Sequence, residues 1–222
     1  MAQESLEARV ERLEAIHEIQ NIMGKYEFLL AVGKREEITA LFANRDDITF
    51  EIGNLGMYKG LEGLRKNPMF DMADMPGFGA EIALTSSVIE VAGDGKTAKA
   101  VWMAPGYETT RNPQTDELTA GWVWTKYACD FIKEDGEWKI WHLKNFLVFF
   151  AEYHKSWVEA GGEHYLQRVN LGLPPPGGAL PSAHRHAPYD PNAKPEMLPA
   201  FPEPYETYDG NMDWVDPYKP DK

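Results

Sequence analysis

Twelve of the chain's 16 prolines lie between residues 174 and 220. Proline fixes φ and removes a backbone donor, so this stretch can build neither a long helix nor a central strand. The composition changes near Gly172, and two parts are expected: a folded body over residues 1–170 and an extended tail over residues 171–222. Disordered tails are poor in aromatic residues. This one carries Tyr189, Phe201, Tyr205, Tyr208, Trp214 and Tyr218, so it is expected to dock on its own body or on a neighbouring subunit.

In the body, Leu6, Val10, Leu13, Ile16, Ile19, Met23 and Tyr26 recur at steps of three and four, which predicts an amphipathic helix. Ser5 suits its N-cap, and Gly33 suits a stop before a second short helix over 35–42. A strand over 47–52 and a short helix over 60–70 follow, then strands over 82–91, 97–104, 119–133 and 138–150. Gly-Asp-Gly at 93–95 and Glu-Asp-Gly at 134–136 supply hairpin turns between the last four. This order predicts an α+β fold, with helices packed on one face of a curved antiparallel sheet.

Charge and composition then remove whole classes of function. Lys and Arg total 22 against 35 Asp and Glu, a net charge of -13, so nucleic acid and anionic membrane surfaces are excluded as partners. With Cys129 the only cysteine, neither a disulfide framework nor a multi-thiolate zinc site is possible, and a cytoplasmic location is expected. Residues 1–20 are charged throughout and no run of about 18 apolar residues occurs, so neither a signal peptide nor a membrane span is expected. The chain has no Gly-rich dinucleotide loop, P-loop or clustered metal ligands, and is expected to work without a cofactor. His184-Arg-His186 is a weak metal pattern, because no carboxylate stands at ligand spacing.

Strand periodicity picks out candidate site residues. Between 122 and 131, alternation puts Val123, Thr125, Tyr127, Cys129 and Phe131 on one face, expected to point inward. Trp122, Trp124, Lys126 and Asp130 share the other, which suits a subunit interface. In the last strand, Ile140, His142 and Lys144 oppose Trp141, Leu143 and Asn145. A His and a Lys on an inward face are costly unless used, so this pair is expected to be functional.

Several segments in order resemble the nuclear transport factor 2-like superfamily, and within it the SnoaL-like, polyketide-cyclase-like group. They are Leu13-Glu-Ala-Ile-His-Glu-Ile19, Tyr26, Leu41-Phe-Ala43, Tyr58-Lys-Gly60, Val88-Ile-Glu-Val-Ala-Gly-Asp94 and Asp135-Gly-Glu-Trp-Lys-Ile140. The resemblance covers residues 5–150 and leaves out the tail. It implies a cone formed by a bent sheet around helices, with an apolar cavity and a site free of metal and cofactor. There a carboxylate or His moves a proton and Tyr or a protonated acid stabilises an oxyanion. Members include ketosteroid isomerase, scytalone dehydratase, bile-acid dehydratase and polyketide cyclases, and also pure binding modules.

Carried onto this chain, the resemblance assigns the oxyanion Tyr to Tyr26, fifteen residues before Leu41. The isomerase Asp base would fall at Ile52 and the dehydratase helix Asp at Ala31, so both acids are missing. Glu51 has the opposite strand parity to Ile52 and is expected to point outward into solvent. Glu81 falls where scytalone dehydratase has its catalytic His, and in an apolar cavity its carboxyl would be raised and act as an acid. Trp102 falls at a second His position and suits a ring wall; Lys144 sits near the cavity Arg of bile-acid dehydratase. The expected catalytic set is therefore Tyr26, Glu81, Tyr127, His142 and Lys144, with Phe50, Ile52, Tyr58, Trp102, Tyr107 and Phe131 lining the pocket.

In its body and long aromatic tail the chain also resembles bacterial lyases of lignin-derived diaryl dimers, which release formaldehyde and leave a stilbene. The implied route loses the benzylic hydroxyl to give a quinone methide, which then drives carbon–carbon cleavage. Lys144 with Tyr26 or Tyr127 would hold the phenolate, and Glu81 or His142 would be acid and base. The alternatives are a dehydratase or isomerase of a polycyclic, steroid-like or polyketide substrate, and a non-catalytic carrier of a small apolar ligand. Outward Trp122 and Trp124 predict a homo-oligomer, with a trimer, as in the dehydratase relatives, favoured over a dimer.

Overall fold

The computed structural model describes residues 5–111, 115–160, 175–210 and 212. The tail residues Trp214 and Tyr218 lie outside them. Helix α1 (Leu6–Leu30) is capped by Ser5, whose hydroxyl accepts the Ala8 N–H, and it turns Ala15, Ile19, Met23 and Tyr26 into the core. The turn after it closes at Gly33, where φ is +65° and an added Cβ would meet Ala73 and the Phe70 carbonyl. Helices α2 (Arg35–Thr39) and α3 (Gly60–Arg65) are shorter than the sequence predicts. A 3-10 turn, Pro68–Asp74, takes over the end of α3, because Pro68 cannot continue an α-helix. No helix of the described residues is long and apolar enough to cross a membrane.

Among the described residues the sheet has seven strands: β1 (Thr49–Ile52), β2 (Gly56–Lys59), β3 (Ala80–Ile82), β4 (Ser87–Val91), β5 (Thr97–Arg111), β6 (Leu118–Glu134) and β7 (Glu137–Glu152). Their order is β2-β1-β7-β6-β5-β3, with β4 beside β5. The fold is α+β as predicted, but the sheet is mixed: β1 runs parallel to β7 and antiparallel to β2. The Asp135-Gly136 turn joins β6 to β7 with both residues at positive φ, as a tight two-residue hairpin requires. A short helix, α4 (Trp157–Ala160), follows β7.

Two irregularities in β7 decide which side chains face inward. Phe131 pairs with Ile140, but Asp130 pairs with His142, so Trp141 is an extra residue. A bulge of this kind reverses strand parity beyond it. Ile140 points into the core, whereas His142 and Lys144 point to the outer face, the opposite of the alternation read from sequence. Leu143, Asn145 and Leu147 become the inward set, in register with Cys129, Tyr127 and Thr125. A second shift at Val148 puts Phe150 opposite Val123.

Glu51 is outward as expected but not solvated: Glu51 and Lys144 are partners across β1 and β7, 2% and 0% exposed, with Nζ 2.9 Å from Oε1. Lys144 also donates to the Gly53 carbonyl at 2.8 Å. The tail covers them. The Ser182 hydroxyl bonds Glu51, and His184 reaches it through its backbone N–H at 3.1 Å and its Nδ1 at 2.8 Å. Further along, Asn54 exchanges two hydrogen bonds with the His186 backbone, and the Tyr189 N–H donates to Val148. Lys126 donates to the Leu198 carbonyl. The Tyr208 hydroxyl donates at 3.2 Å to Asp130, whose carboxylate also holds His142 Nδ1 at 2.8 Å.

Replacing Lys144 by Met would leave the Glu51 charge buried opposite an apolar chain. Lys144→Met should cost about 3–5 kcal/mol of stability in chemical denaturation, and adding Glu51→Gln should return part of it. Equal stabilities for the wild type and Lys144→Met would refute this account of the outer face.

Candidate functional site

A cavity of about 340 Å³ opens between the C-terminal half of α1, the loop after β1, the 3-10 turn and the inner face of the sheet. Leu30 and Ala31 come from the helix, Ile52 and Leu55 from the β1–β2 hairpin, and Met69 and Met72 from the turn. Val123, Thr125 and Tyr127 of β6 and Asn145 and Leu147 of β7 form the sheet wall. The tail contributes Pro176, whose carbonyl accepts the Tyr58 hydroxyl at 2.8 Å.

One acid in this largely apolar lining is Glu27 of α1. Its Oε1 is buried without a hydrogen-bond partner. Burial raises the carboxyl from 4.5 to about 8, while the Tyr127 hydroxyl pulls in the other direction. At neutral pH the group is therefore mostly protonated. Sequence reasoning passed over Glu27, although one signal was there: it lies four residues after Met23 and eight after Ile19, an acid on the apolar stripe of the helix. Ala31, where the dehydratase acid would fall, does line the cavity, and Glu27 supplies a carboxyl one helical turn earlier.

Tyr127 is the second polar group. Its phenol is raised well above its ordinary range, first by burial, then by the charges of Glu27 and Tyr26, against a hydrogen bond from Asn145. The Thr125 hydroxyl donates to Asn145 Oδ1 at 2.8 Å, which leaves the amide donor free to act on the phenol. Glu27, Tyr127, Asn145 and Thr125 thus form a polar line along a largely apolar room. Tyr26 lies behind it, with its ring edge-on to Tyr127 at 6.1 Å and its buried hydroxyl without a partner.

The other expected residues divide by parity and depth. Ile52 and Tyr58 line the cavity, while Phe50, Trp102 and Phe131 are buried in the core away from the lining. Ala80 and Ile82 face the cavity, so Glu81 between them points to solvent, and its cross-strand partner Tyr107 is exposed with it. Glu108, the partner of Ala80, takes the lining position that Glu81 does not. His142 and Lys144 are on the far side of the sheet. Nothing local in the sequence signals Asn145, because only the bulge turns it inward.

No group of three or more His, Cys, Asp or Glu among the described residues could hold a metal ion. His184 and His186 do not converge: one is bound to Glu51, and the other places Nε2 2.9 Å from the Leu147 carbonyl. Cys129 is buried, and desolvation raises its thiol well above the usual range.

A sequence model of the SnoaL-like domain family matches residues 11–144. No curated protein matches the chain. Among solved structures, the fold is similar to a proposed scytalone dehydratase from Novosphingobium aromaticivorans, at 19% identity over 67% of this chain and 93% of that one, with a TM-score of 0.55. It is also similar to a type 2 hexachlorocyclohexane dehydrochlorinase, LinA (16% identity, 67% and 95% coverage, TM-score 0.54), and to the type 3 enzyme of Novosphingobium barchaimii (15%, 67% and 96%, 0.54).

The raised Glu27 carboxyl has a consequence for stability. Between pH 4.5 and about 8 the folded chain holds a proton that the unfolded chain releases, so stability falls as pH rises through that window and levels off above it. Glu27→Gln cannot ionise. Its stability advantage over the wild type should grow across this range in denaturation at a series of pH values; a difference independent of pH would place Glu27 in water.

Proposed function

The chain belongs to the SnoaL-like domain family, a family that includes cofactor-independent dehydratases and lyases, and from that premise we propose that it is a lyase acting on a neutral, phenolic two-ring compound of the lignin-derived diaryl type. The observation that carries the reading is Glu27: a protonated carboxyl held in a largely apolar cavity next to a phenol and an amide. Such a group donates a proton to a departing hydroxyl at neutral pH and, once ionised, takes one back.

In the proposed reaction Glu27 protonates the benzylic hydroxyl, the substrate phenol gives its proton to solvent, and water leaves a quinone methide. The Glu27 carboxylate then takes the proton of the terminal alcohol. The carbon–carbon bond breaks, formaldehyde departs, and the electron pair flows into the quinone methide. A stilbene phenolate remains and recovers a proton from solvent. Tyr127 and Asn145 are lining donors suited to hold the phenolate oxygen; Lys144, on the other face of the sheet, takes no part. A second reading is dehydration with the hydroxymethyl carbon retained. It is favoured by the raised Glu27 carboxyl, since simple elimination needs only one proton-transfer group.

The same proposal includes a homo-oligomer, with a trimer expected. Trp122 and Trp124 are 43% and 42% exposed, and Trp124 stacks on Phe149, which in turn stacks on Trp157. A second copy would cover this ring-rich patch. Sedimentation at micromolar concentration should show the assembly, and a monomer would refute it.

The test of the reaction is formaldehyde release together with stilbene absorbance from a phenolic diaryl propanediol. Wild-type protein should give both, and Glu27→Gln should lower turnover by about two orders of magnitude or more. A dehydrated product without formaldehyde would select the second reading. No product from any phenolic dimer, however tightly bound, would leave a carrier and end the lyase reading.

A further inference from the structure

The second orphaned polar group of the lining is Asn67, the residue before the 3-10 turn. It is fully buried, and its Nδ2 has no hydrogen-bond partner. The amide cannot simply be turned over. Its Oδ1 accepts the Met69 N–H at 3.1 Å as the cap of the turn, and a flipped amide would set donor against donor. The backbone is tied as well, since its carbonyl accepts Arg35 Nη1 at 3.5 Å and its N–H donates to Leu64. Position and orientation of the side chain are therefore set by the fold, and one donor is left over beside the cavity.

A buried donor without a partner is unfavourable, and where the residue lines a cavity the natural partner is an acceptor brought by the ligand. We infer that Asn67 recognises the substrate, its Nδ2 donating to an uncharged oxygen such as a hydroxyl, ether or carbonyl. An anionic group fits poorly, because two carboxyl groups, Glu27 and Glu108, line the cavity, and among the described lining residues there is no Lys or Arg. The inference rests on the proposed reading in taking this cavity as the substrate site, but it concerns binding and needs no turnover.

Two probes of equal shape isolate the contact: trans-4,4′-dimethoxystilbene, whose oxygens only accept, and trans-4,4′-diethylstilbene, which has none. Asn67→Ser and Asn67→Thr keep a capping oxygen but lack the reach of the amide. The affinity of the full chain for the dimethoxy probe relative to the diethyl probe should fall by about tenfold or more in both variants, with diethyl binding unchanged within about twofold. In the wild type, the Asn67 side-chain NH2 resonances should shift with the dimethoxy probe and not with the diethyl one, a readout that does not depend on either variant folding. Equal losses for both probes, an unchanged ratio, or unmoved NH2 resonances would overturn the assignment. A wild type that releases no formaldehyde but shows the Asn67 effect would sink the lyase reading and leave this inference standing.

Discussion

The extra residue at Trp141 in β7 decides what this protein has in its cavity and what it has on its back. Before the bulge, Trp138 and Ile140 enter the core; after it, the same face of the sheet receives Leu143, Asn145 and Leu147. Without the bulge a lysine and a histidine would stand in the apolar room and a leucine and an asparagine outside it. One inserted residue therefore exchanges a cationic cavity for a neutral one, and moves the basic pair to where other charges can meet it.

That displacement creates a second problem, which the tail solves. Lys144 and Glu51 lie side by side on adjacent strands, and both are almost fully buried. Burying two charges costs several kcal/mol unless the geometry is close and the remaining bonding capacity is filled. Here the Gly53 carbonyl takes one ammonium proton, while Ser182 and His184 fill the carboxylate. Burial by itself would raise the Glu51 carboxyl, but His184, Lys144 and Ser182 outweigh it and hold it below its ordinary value. The tail's prolines are no obstacle to this role. The strap bonds through scattered side chains and carbonyls and, among the described residues, pairs with a strand only at the isolated bridge between Leu180 and Met57.

Glu51 and Glu27 thus show opposite fates for one functional group. Glu51 is surrounded by donors and stays ionised; Glu27 has apolar neighbours, a phenol at hand and an unpaired oxygen, and stays protonated. Environments that push like groups apart are what separates a structural carboxylate from one able to move a proton. The clamp on Gly53 and Asn54 also holds the hairpin that carries Ile52 and Leu55, so the outer cluster braces one cavity wall from behind.

Local pattern alone determined much of this protein. The 3.6-residue stripe and the residues at its ends define α1, its cap at Ser5 and the turn at Gly33 that follows it; the turn residues at 135 and 136 define the β6–β7 hairpin; alternation correctly turns Val123, Thr125 and Tyr127 inward. These follow from forces acting between near neighbours in the chain. Even Glu27 was legible as an acid on an apolar stripe. What only the tertiary structure decided is where parity breaks and what covers the outer face. The bulge at Trp141 comes from pairing between β6 and β7, the placement of Glu51 against Lys144 from a parallel contact between strands more than 90 residues apart, and the outward turn of Glu81 from Ala80 and Ile82 claiming the cavity. The orphaned amide of Asn67 likewise exists only because the 3-10 turn uses its oxygen and the cavity wall leaves its nitrogen unpaired. Each of these depends on which strand or cavity wall the segment meets in the fold, and no periodicity within a single segment can encode that.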